Sequence, residues 1–188
     1  VAAVSCCVPP ANIGVGTDGD AIIWDSRVIS GNALFRIPNA GGAEANPKWG
    51  APTSGILAGT PVVSQTEVRV VMWEGSLGTY SGTMAVTRYN YANGNFIGRS
   101  ALATIDYGEL NTPVIPAAAF NASGTLVYFA FQNNAGARTT SQVAACASDS
   151  TTGRAALGGS AWVSPTLDAV IVAAVPFSNG ALIAAISG

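Results

Sequence analysis

The chain has 188 residues and a net charge of −2, and only 10% of its residues are charged, against about 25% in an ordinary globular domain. Its eight basic residues are scattered singly, which argues against a nucleic-acid-binding patch. There is no histidine, which excludes Ser-His and Cys-His catalysis and leaves a cysteine zinc site without a fourth ligand.

The low charge has a consequence for the surface. Ala, Gly, Ser, Thr and Asn must cover most of the exterior, and the mean hydropathy is +0.37. No membrane span is predicted, because the longest apolar stretch, residues 167–186, is interrupted by Pro176 and Gly180. We therefore expect neighbouring copies of the chain to cover part of its exterior, as in a homo-oligomer.

The three cysteines, Cys6, Cys7 and Cys146, allow one disulfide at most. Adjacent cysteines rarely pair, so Cys146 pairs with Cys6 or Cys7, or all three are buried thiols. The sequence begins at Val1, without an initiator Met or a signal pattern, and is expected to be a processed chain. Residues 1–14 are a candidate extended N-terminal arm.

The predicted elements are β-strands, because Gly and Pro recur roughly every eight to twelve residues between segments rich in Val, Ile, Thr, Phe and Tyr. Residues 40–58 and 147–160 are predicted to be irregular connections. No internal repeat is found, which argues against a propeller or a solenoid. These patterns predict one all-β domain over residues 1–188, a single antiparallel β-sandwich. The clearest strands are Ala21–Trp24, Ala33–Ile37, Val68–Trp73, Thr83–Tyr89 and Thr125–Phe131.

Two late segments, Ala169–Val175 and Ala181–Ile186, are apolar on both alternating faces, and Asn179-Gly180 between them suits a tight turn. They predict a buried hairpin. Because one face of an antiparallel sheet usually meets water, its outer face is expected to be covered as well, for example by another subunit.

Acidic residues are densest at Asp18, Asp20 and Asp25. Gly19 permits a sharp turn that could direct Asp18 and Asp20 at one cation, so these two residues are calcium candidates, with a solvated turn as the alternative. The terminal Glu of a calcium loop is missing. Two wider acidic pairs are more easily explained as solvated strand ends: Asp106 with Glu109, and Glu67 with Glu74.

Other short motifs are less specific. Residues 14–19 match G-x-G-x-x-G, but without the preceding strand and following helix that dinucleotide binding requires, so we interpret them as a glycine-rich loop. Asn121-Ala122-Ser123 is a glycosylation acceptor by pattern. Aromatic residues near predicted loops and strand ends are a candidate sugar-binding platform, with core packing as the alternative: Trp49, Tyr80, Tyr89 and Tyr91.

Several segments follow one another in a characteristic order: residues 32–38, residues 67–72, a turn through Ser81-Gly82, residues 83–86, and a final pair at residues 166–172 and 180–186. This order resembles the jelly-roll shell domain of small icosahedral RNA-virus coat proteins. The resemblance implies an eight-stranded jelly roll, self-assembly into a closed shell in a virion, and no enzymatic activity.

The chain departs from that family at its N-terminus. Family members usually carry a basic arm that binds the viral genome, whereas residues 1–12 are uncharged here, so genome binding would require a missing arm. Three other functions remain open. They are a secreted pilus or filament subunit that donates residues 1–8 as a strand, a carbohydrate-binding spike-type module, and, last, a carboxylate-only hydrolase using Asp18 with Asp20 or Asp106 with Glu109. We predict that the chain is not an enzyme.

Overall fold

The computed structural model describes residues 13–25, 33–39, 46–75, 81–106, 118–135, 138–149, 162–163, 165, 169–177 and 180–187. Within these ranges the chain forms antiparallel β-strands and no helix, so no described helix could cross a membrane. The strands are β1 Gly14–Val15, β2 Ala21–Asp25, β3 Ala33–Ile37, β4 Trp49–Pro52, β5 Ile56–Leu57, β6 Val62–Val63, β7 Glu67–Gly75, β8 Ser81–Asn90, β9 Phe96–Asp106, β10 Ala118–Phe120, β11 Leu126–Ala135, β12 Arg138–Ala147, β13 Trp162–Val163, β14 Ala169–Phe177 and β15 Gly180–Ser187.

The strands form four successive sheets, which we number in chain order. The first sheet is β1-β2-β3-β4 and the second is β5-β7-β8-β9, with β6 also paired to β7. The third sheet is β10-β11-β12-β13, and the fourth is the hairpin β14-β15. Strand β14 lies against β10, β11 and β12, which packs the fourth sheet on the third.

The second sheet is covered on both faces. Val68, Val70 and Met72 pack with Ile22 and Leu34 of the first sheet, and all five side chains are fully buried. On the opposite face lies a second core, formed with the third sheet by Val71, Trp73, Met84, Val86, Phe120, Val127 and Phe129. This double covering explains the nearly continuous apolar sequence of β7, because both of its alternating faces leave water.

The all-β antiparallel fold with sheets packed face to face is confirmed, as are the five clearest predicted strands and the final hairpin. The eight-stranded jelly roll is not confirmed. A jelly roll pairs strands that are distant in sequence, whereas β2, β3 and β4, or β7, β8 and β9, pair in simple chain order. Residues 81–82, predicted to form a turn, instead begin β8.

Three further predictions about the chain's organisation need correction. The supposed connection at residues 40–58 contains β4 and β5, which Gly and Pro made difficult to recognise as strands. Gly14, placed at the end of an extended arm, pairs with Ile22 in the first sheet, and residues 1–12 lie outside the described ranges.

The conclusion that the sequence has no internal repeat was also wrong. Pro9, Pro61, Pro113 and Pro165 follow one another at a constant spacing of 52 residues, and Thr or Ser precedes the last three. Pro9, Pro113 and Pro165 precede the first strands of the first, third and fourth sheets, whereas Pro61 lies between β5 and β6 of the second sheet. The constant spacing is a weak internal period that local strand patterns did not reveal.

Candidate functional site

The two calcium candidates lie in the hairpin between β1 and β2. The Gly16 amide donates to the Asp20 carbonyl at 2.8 Å, and Gly19 has a φ of 84°, which closes the turn. No helix follows this segment, so the G-x-G-x-x-G match is a glycine-rich hairpin, as expected. The hairpin places both Asp18 and Asp20 beside the interface between the first and second sheets.

Asp20 is buried, at 2% exposure, and its carboxylate accepts three hydrogen bonds. Arg36 Nε and Lys48 Nζ each lie 2.6 Å from Oδ2, and the Asn39 amide donates to Oδ1 at 2.9 Å. Strands β2 and β3 bring Arg36 there, because Arg36 is the cross-strand partner of Ile22, two residues beyond Asp20. The carboxylate is thus neutralised by two cations from the same sheet.

Asp18 is the more exposed carboxylate and faces the second sheet. Its Oδ2 accepts a hydrogen bond from Arg36 NH2 at 2.6 Å, and its Oδ1 accepts one from the Tyr91 hydroxyl. Asp18, Asp20, Arg36, Lys48 and Tyr91 are called the ion-pair cluster below.

Arg36 joins the first sheet to the second. Its NH1 donates to the Tyr91 carbonyl at 2.7 Å, and its guanidinium lies 3.8 Å from the centre of the Tyr91 ring. The Trp49 indole donates to the same carbonyl at 2.9 Å. These contacts give a buried cation a complete set of partners, which is the condition for burying a charge without a large cost.

The pKa shifts agree with this geometry. Burial raises the pKa of Asp20, but hydrogen bonds from Lys48, the Asn39 amide and Arg36 outweigh it and lower that pKa to about 2. The Tyr91 hydroxyl lowers the pKa of Asp18. Burial and the bond to Asp18 raise the pKa of Tyr91 to about 12. Both carboxylates are therefore charged and Tyr91 is protonated at neutral pH.

The ion-pair cluster offers little for chemistry on a substrate. All four carboxylate oxygens accept hydrogen bonds from the protein. Within the described ranges no group of three or more His, Cys, Asp or Glu side chains could hold a metal ion. Calcium at Asp18 and Asp20 stays a prediction, and it would have to displace Arg36 and Lys48.

Of the two wider acidic pairs, Glu67 and Glu74 lie toward opposite ends of β7 and pair with different arginines. Glu74 is bound by Arg99 and by Ser54 Oγ at 2.6 Å. Glu67, at the other end of β7, lies 3.5 Å from both Arg69 and Arg88. Asp106 ends β9, and Glu109 lies outside the described residues.

A second, partly buried polar link joins the second and third sheets. Arg69 NH1 donates to the Gly124 carbonyl and to Ser148 Oγ, each at 3.0 Å, and Ser148 Oγ donates to the same carbonyl at 2.6 Å. Nearby, the side chain of Asn121 in the glycosylation motif closes its own turn by accepting from the Thr125 amide at 2.9 Å. The sequence analysis did not identify either Arg36 or Arg69 as a link between sheets.

Of the four candidate aromatic residues for sugar binding, three are buried, as the core-packing alternative predicted. Trp49, Tyr89 and Tyr91 are 8%, 3% and 5% exposed and pack between the first and second sheets, because their rings fill that core. Tyr80 lies outside the described ranges. Cys146 is buried in the core between the second and third sheets, while Cys6 and Cys7 are also outside those ranges, so the disulfide alternatives stay open.

Apolar groups are exposed instead at sheet edges. Phe96 and Ile97, at the start of edge strand β9, are 63% and 45% exposed. Val15, in edge strand β1, is 63% exposed. By contrast, all five basic side chains that the structure describes are in ion pairs, namely Arg36, Lys48, Arg69, Arg88 and Arg99.

Comparisons with protein-family models, with curated proteins and with solved structures found no match for this chain. The class of protein is therefore defined here by the fold and the site alone. It is an all-β protein of antiparallel sheets stacked in chain order, with the buried Arg36 and the partly buried Arg69 linking one sheet to the next.

Proposed function

We propose that this chain is a self-associating structural subunit, whose function is to pack protein surfaces together. The observation that carries the proposal is the pairing of every described basic side chain with a carboxylate, while apolar side chains such as Phe96 and Val15 are exposed. Copies with so little unpaired charge repel one another weakly, and apolar contact then favours association.

The proposal assigns no catalytic step to the chain. The carboxylates considered for hydrolysis at Asp18 and Asp20 are held by Arg36 and Lys48. A general acid needs a raised pKa, whereas the pKa of Asp20 is lowered to about 2. A substrate would have to displace both Arg36 and Lys48 to reach Oδ2 of Asp20, and Arg36 to reach Oδ2 of Asp18.

Two biological uses of such a subunit are proposed from the sequence. The first is a viral shell subunit in a virion, as the resemblance to coat proteins implies. The second is an extracellular filament subunit. A genome is a partner only if a basic arm is added, because the basic residues are few and scattered.

Sedimentation velocity over a hundredfold range of protein concentration tests the proposal. We expect the mean mass to rise with concentration and to persist in molar sulfate, because that salt strengthens apolar association and screens charge. Negative-stain microscopy of the same samples distinguishes closed spheres from threads. A chain that remains monomeric throughout would refute self-association.

A further inference from the structure

The turn between β8 and β9 contains the dipeptide Asn93-Gly94. Asn93 is exposed, and Gly94 presents its backbone nitrogen without a Cβ that would hinder the approach of a carbonyl carbon. Asn is one of the chemically labile residues, because the backbone nitrogen that follows it can attack its side-chain amide carbon. Glycine in the following position leaves this attack least hindered.

The other asparagines of the turn lack this combination. Asn95 is also exposed, but it is followed by Phe96, whose Cβ crowds the attacking nitrogen. Asn90 is only partly exposed, and its Oδ1 accepts hydrogen bonds from the amides of Ala92 at 2.9 Å and Asn93 at 3.3 Å. Asn93 is therefore the residue of this turn that is most open to a reaction with its own backbone.

The folded turn restrains the reacting groups. The Gly94 amide donates to the Asn90 carbonyl at 2.8 Å, and Asn93 Oδ1 accepts from the Asn95 amide at 3.0 Å. The Gly94 nitrogen must lose its proton before it attacks, and its hydrogen bond to Asn90 holds that proton in place. The attack therefore requires the turn to open locally, as slow backbone reactions of folded proteins commonly do.

The turn has no room for a longer backbone. Gly94 is buried with a φ of 73°, and even an added Cβ would lie 2.7 Å from the Trp49 ring. Trp49 Nε1 and Arg36 NH1 both donate to the carbonyl of Tyr91, three residues before Gly94. A change in the path of this turn would thus reach the ion-pair cluster and the contact between the first and second sheets.

We propose that Asn93 is a deamidation site whose rate is set by opening of the turn, and that its isoaspartate product weakens the contact between the first and second sheets. The Gly94 nitrogen bonds to Asn93 Cγ, the Cγ–Nδ2 bond breaks, and Nδ2 leaves as ammonia with the proton lost by Gly94. Water then opens the succinimide ring at either carbonyl, which gives Asp or isoaspartate. Isoaspartate adds one carbon to the backbone before Gly94 and displaces that residue from Trp49.

Peptide mapping by mass spectrometry tests the site and its control by the turn. Trypsin cleaves after Arg88 and Arg99, so residues 89–99 form one peptide that carries both exposed asparagines. At mildly alkaline pH, we expect folded Asn93 to react at least about tenfold faster than Asn95 and at least about tenfold more slowly than Asn93 in guanidinium chloride. Equal rates at Asn93 and Asn95, or no reaction at Asn93 in the folded chain, would refute the site.

Replacement of Asn90 by Ala tests the restraint itself. The substitution removes the side-chain oxygen that accepts from the Ala92 and Asn93 amides. We expect the rate at Asn93 to rise about fivefold in the folded chain, the factor that corresponds to one net hydrogen bond. Circular dichroism checks that the variant is folded. An unchanged rate, or equal wild-type rates with and without guanidinium chloride, would show that the turn does not control the reaction.

Urea denaturation of the aged chain tests the consequence, and Asn93→Asp is the matched control because it adds the charge without lengthening the backbone. The aged chain should show an additional unfolding transition at lower urea, in proportion to its isoaspartate content. In that fraction the unfolding equilibrium constant should be about tenfold larger or more, because contacts with Trp49 and Tyr91 are lost. Asn93→Asp should unfold as the wild type does. Equal stability of the isoaspartate fraction and Asn93→Asp would overturn the effect on the sheet contact.

Discussion

Replacement of Asp20 by Asn is the sharpest test of how the first two sheets are held together. Asp20 Oδ2 lies 2.6 Å from both Arg36 and Lys48, and the carboxylate is almost completely buried. Asn has nearly the same shape but no charge, and its amide group would turn two donors toward these cations. The substitution therefore removes the electrostatic contribution while leaving the volume unchanged.

The expected loss of unfolding free energy is about 3 kcal/mol. Removing one partner of a buried ion pair costs roughly 3–5 kcal/mol, because the other charge stays buried without its partner. Arg36 retains its bond to Asp18, which argues for the lower end of that range. For a chain of this length the melting temperature should fall by about 6–12 °C.

Urea denaturation followed by Trp fluorescence measures this loss, and Asp18→Asn is the matched control. The side chain of Asp18 is 43% exposed, and its loss leaves Arg36 paired with Asp20, so the control should lose less stability than Asp20→Asn. Equal losses in the two variants would show that burial of Asp20 adds nothing, and the account of the cluster would then be wrong.

The wild-type chain and Asp20→Asn should also differ in how their stability depends on pH. Because the pKa of Asp20 is about 2 in the folded chain against an ordinary 3.8, its contribution is present above about pH 5 and is lost as the pH falls through 2. The shift corresponds to about 2 kcal/mol. The stability of the wild-type chain should therefore fall more steeply between pH 5 and 2 than that of Asp20→Asn. Parallel curves would contradict the assigned pKa.

Three other substitutions or additions have definite expected outcomes. Phe129→Ala empties a fully buried site between the second and third sheets and should cost about 3–5 kcal/mol in urea denaturation, whereas Phe96→Ala, at an exposed site, should cost under about 1 kcal/mol. Gly94→Ala should lower the free energy of unfolding by about 2 kcal/mol or more, because φ is 73° and the new Cβ would lie 2.7 Å from the Trp49 ring. Gly98→Ala is its control, because the new Cβ there would meet only the end of the flexible Arg88 side chain. Millimolar calcium should leave the melting temperature unchanged, because the carboxylates of the ion-pair cluster are already hydrogen-bonded to Arg36 and Lys48. A rise in the melting temperature with calcium but not with magnesium would instead support a calcium site.

The stability experiments have clear contrary outcomes. A loss at Phe96→Ala equal to that at Phe129→Ala would place the principal core elsewhere. Equal losses at Gly94 and Gly98 would show that neither the positive φ nor the contact with Trp49 matters. Unchanged m-values are required in each comparison, since a changed m-value reports an altered denatured state instead of a lost contact.

Local patterns predicted the strands because burial on one or both faces imposes its period directly on the sequence. The alternation in Ala33–Ile37 was sufficient to predict β3, yet its meaning for Arg36 was missed. Leu34 and Arg36 lie on the same face of that strand, so a charge stood at a core-facing position. Such a charge requires a buried partner, and this signal could have located the ion-pair cluster.

The partners themselves could not be predicted from local sequence. Tyr91 lies 73 residues from Asp18, and the two meet only because the first sheet packs on the second. The repeat was a detectable signal, but the connections between equivalent strands differ in length and only the prolines keep an exact spacing. Sequence similarity between whole segments was therefore too weak to reveal the four stacked units.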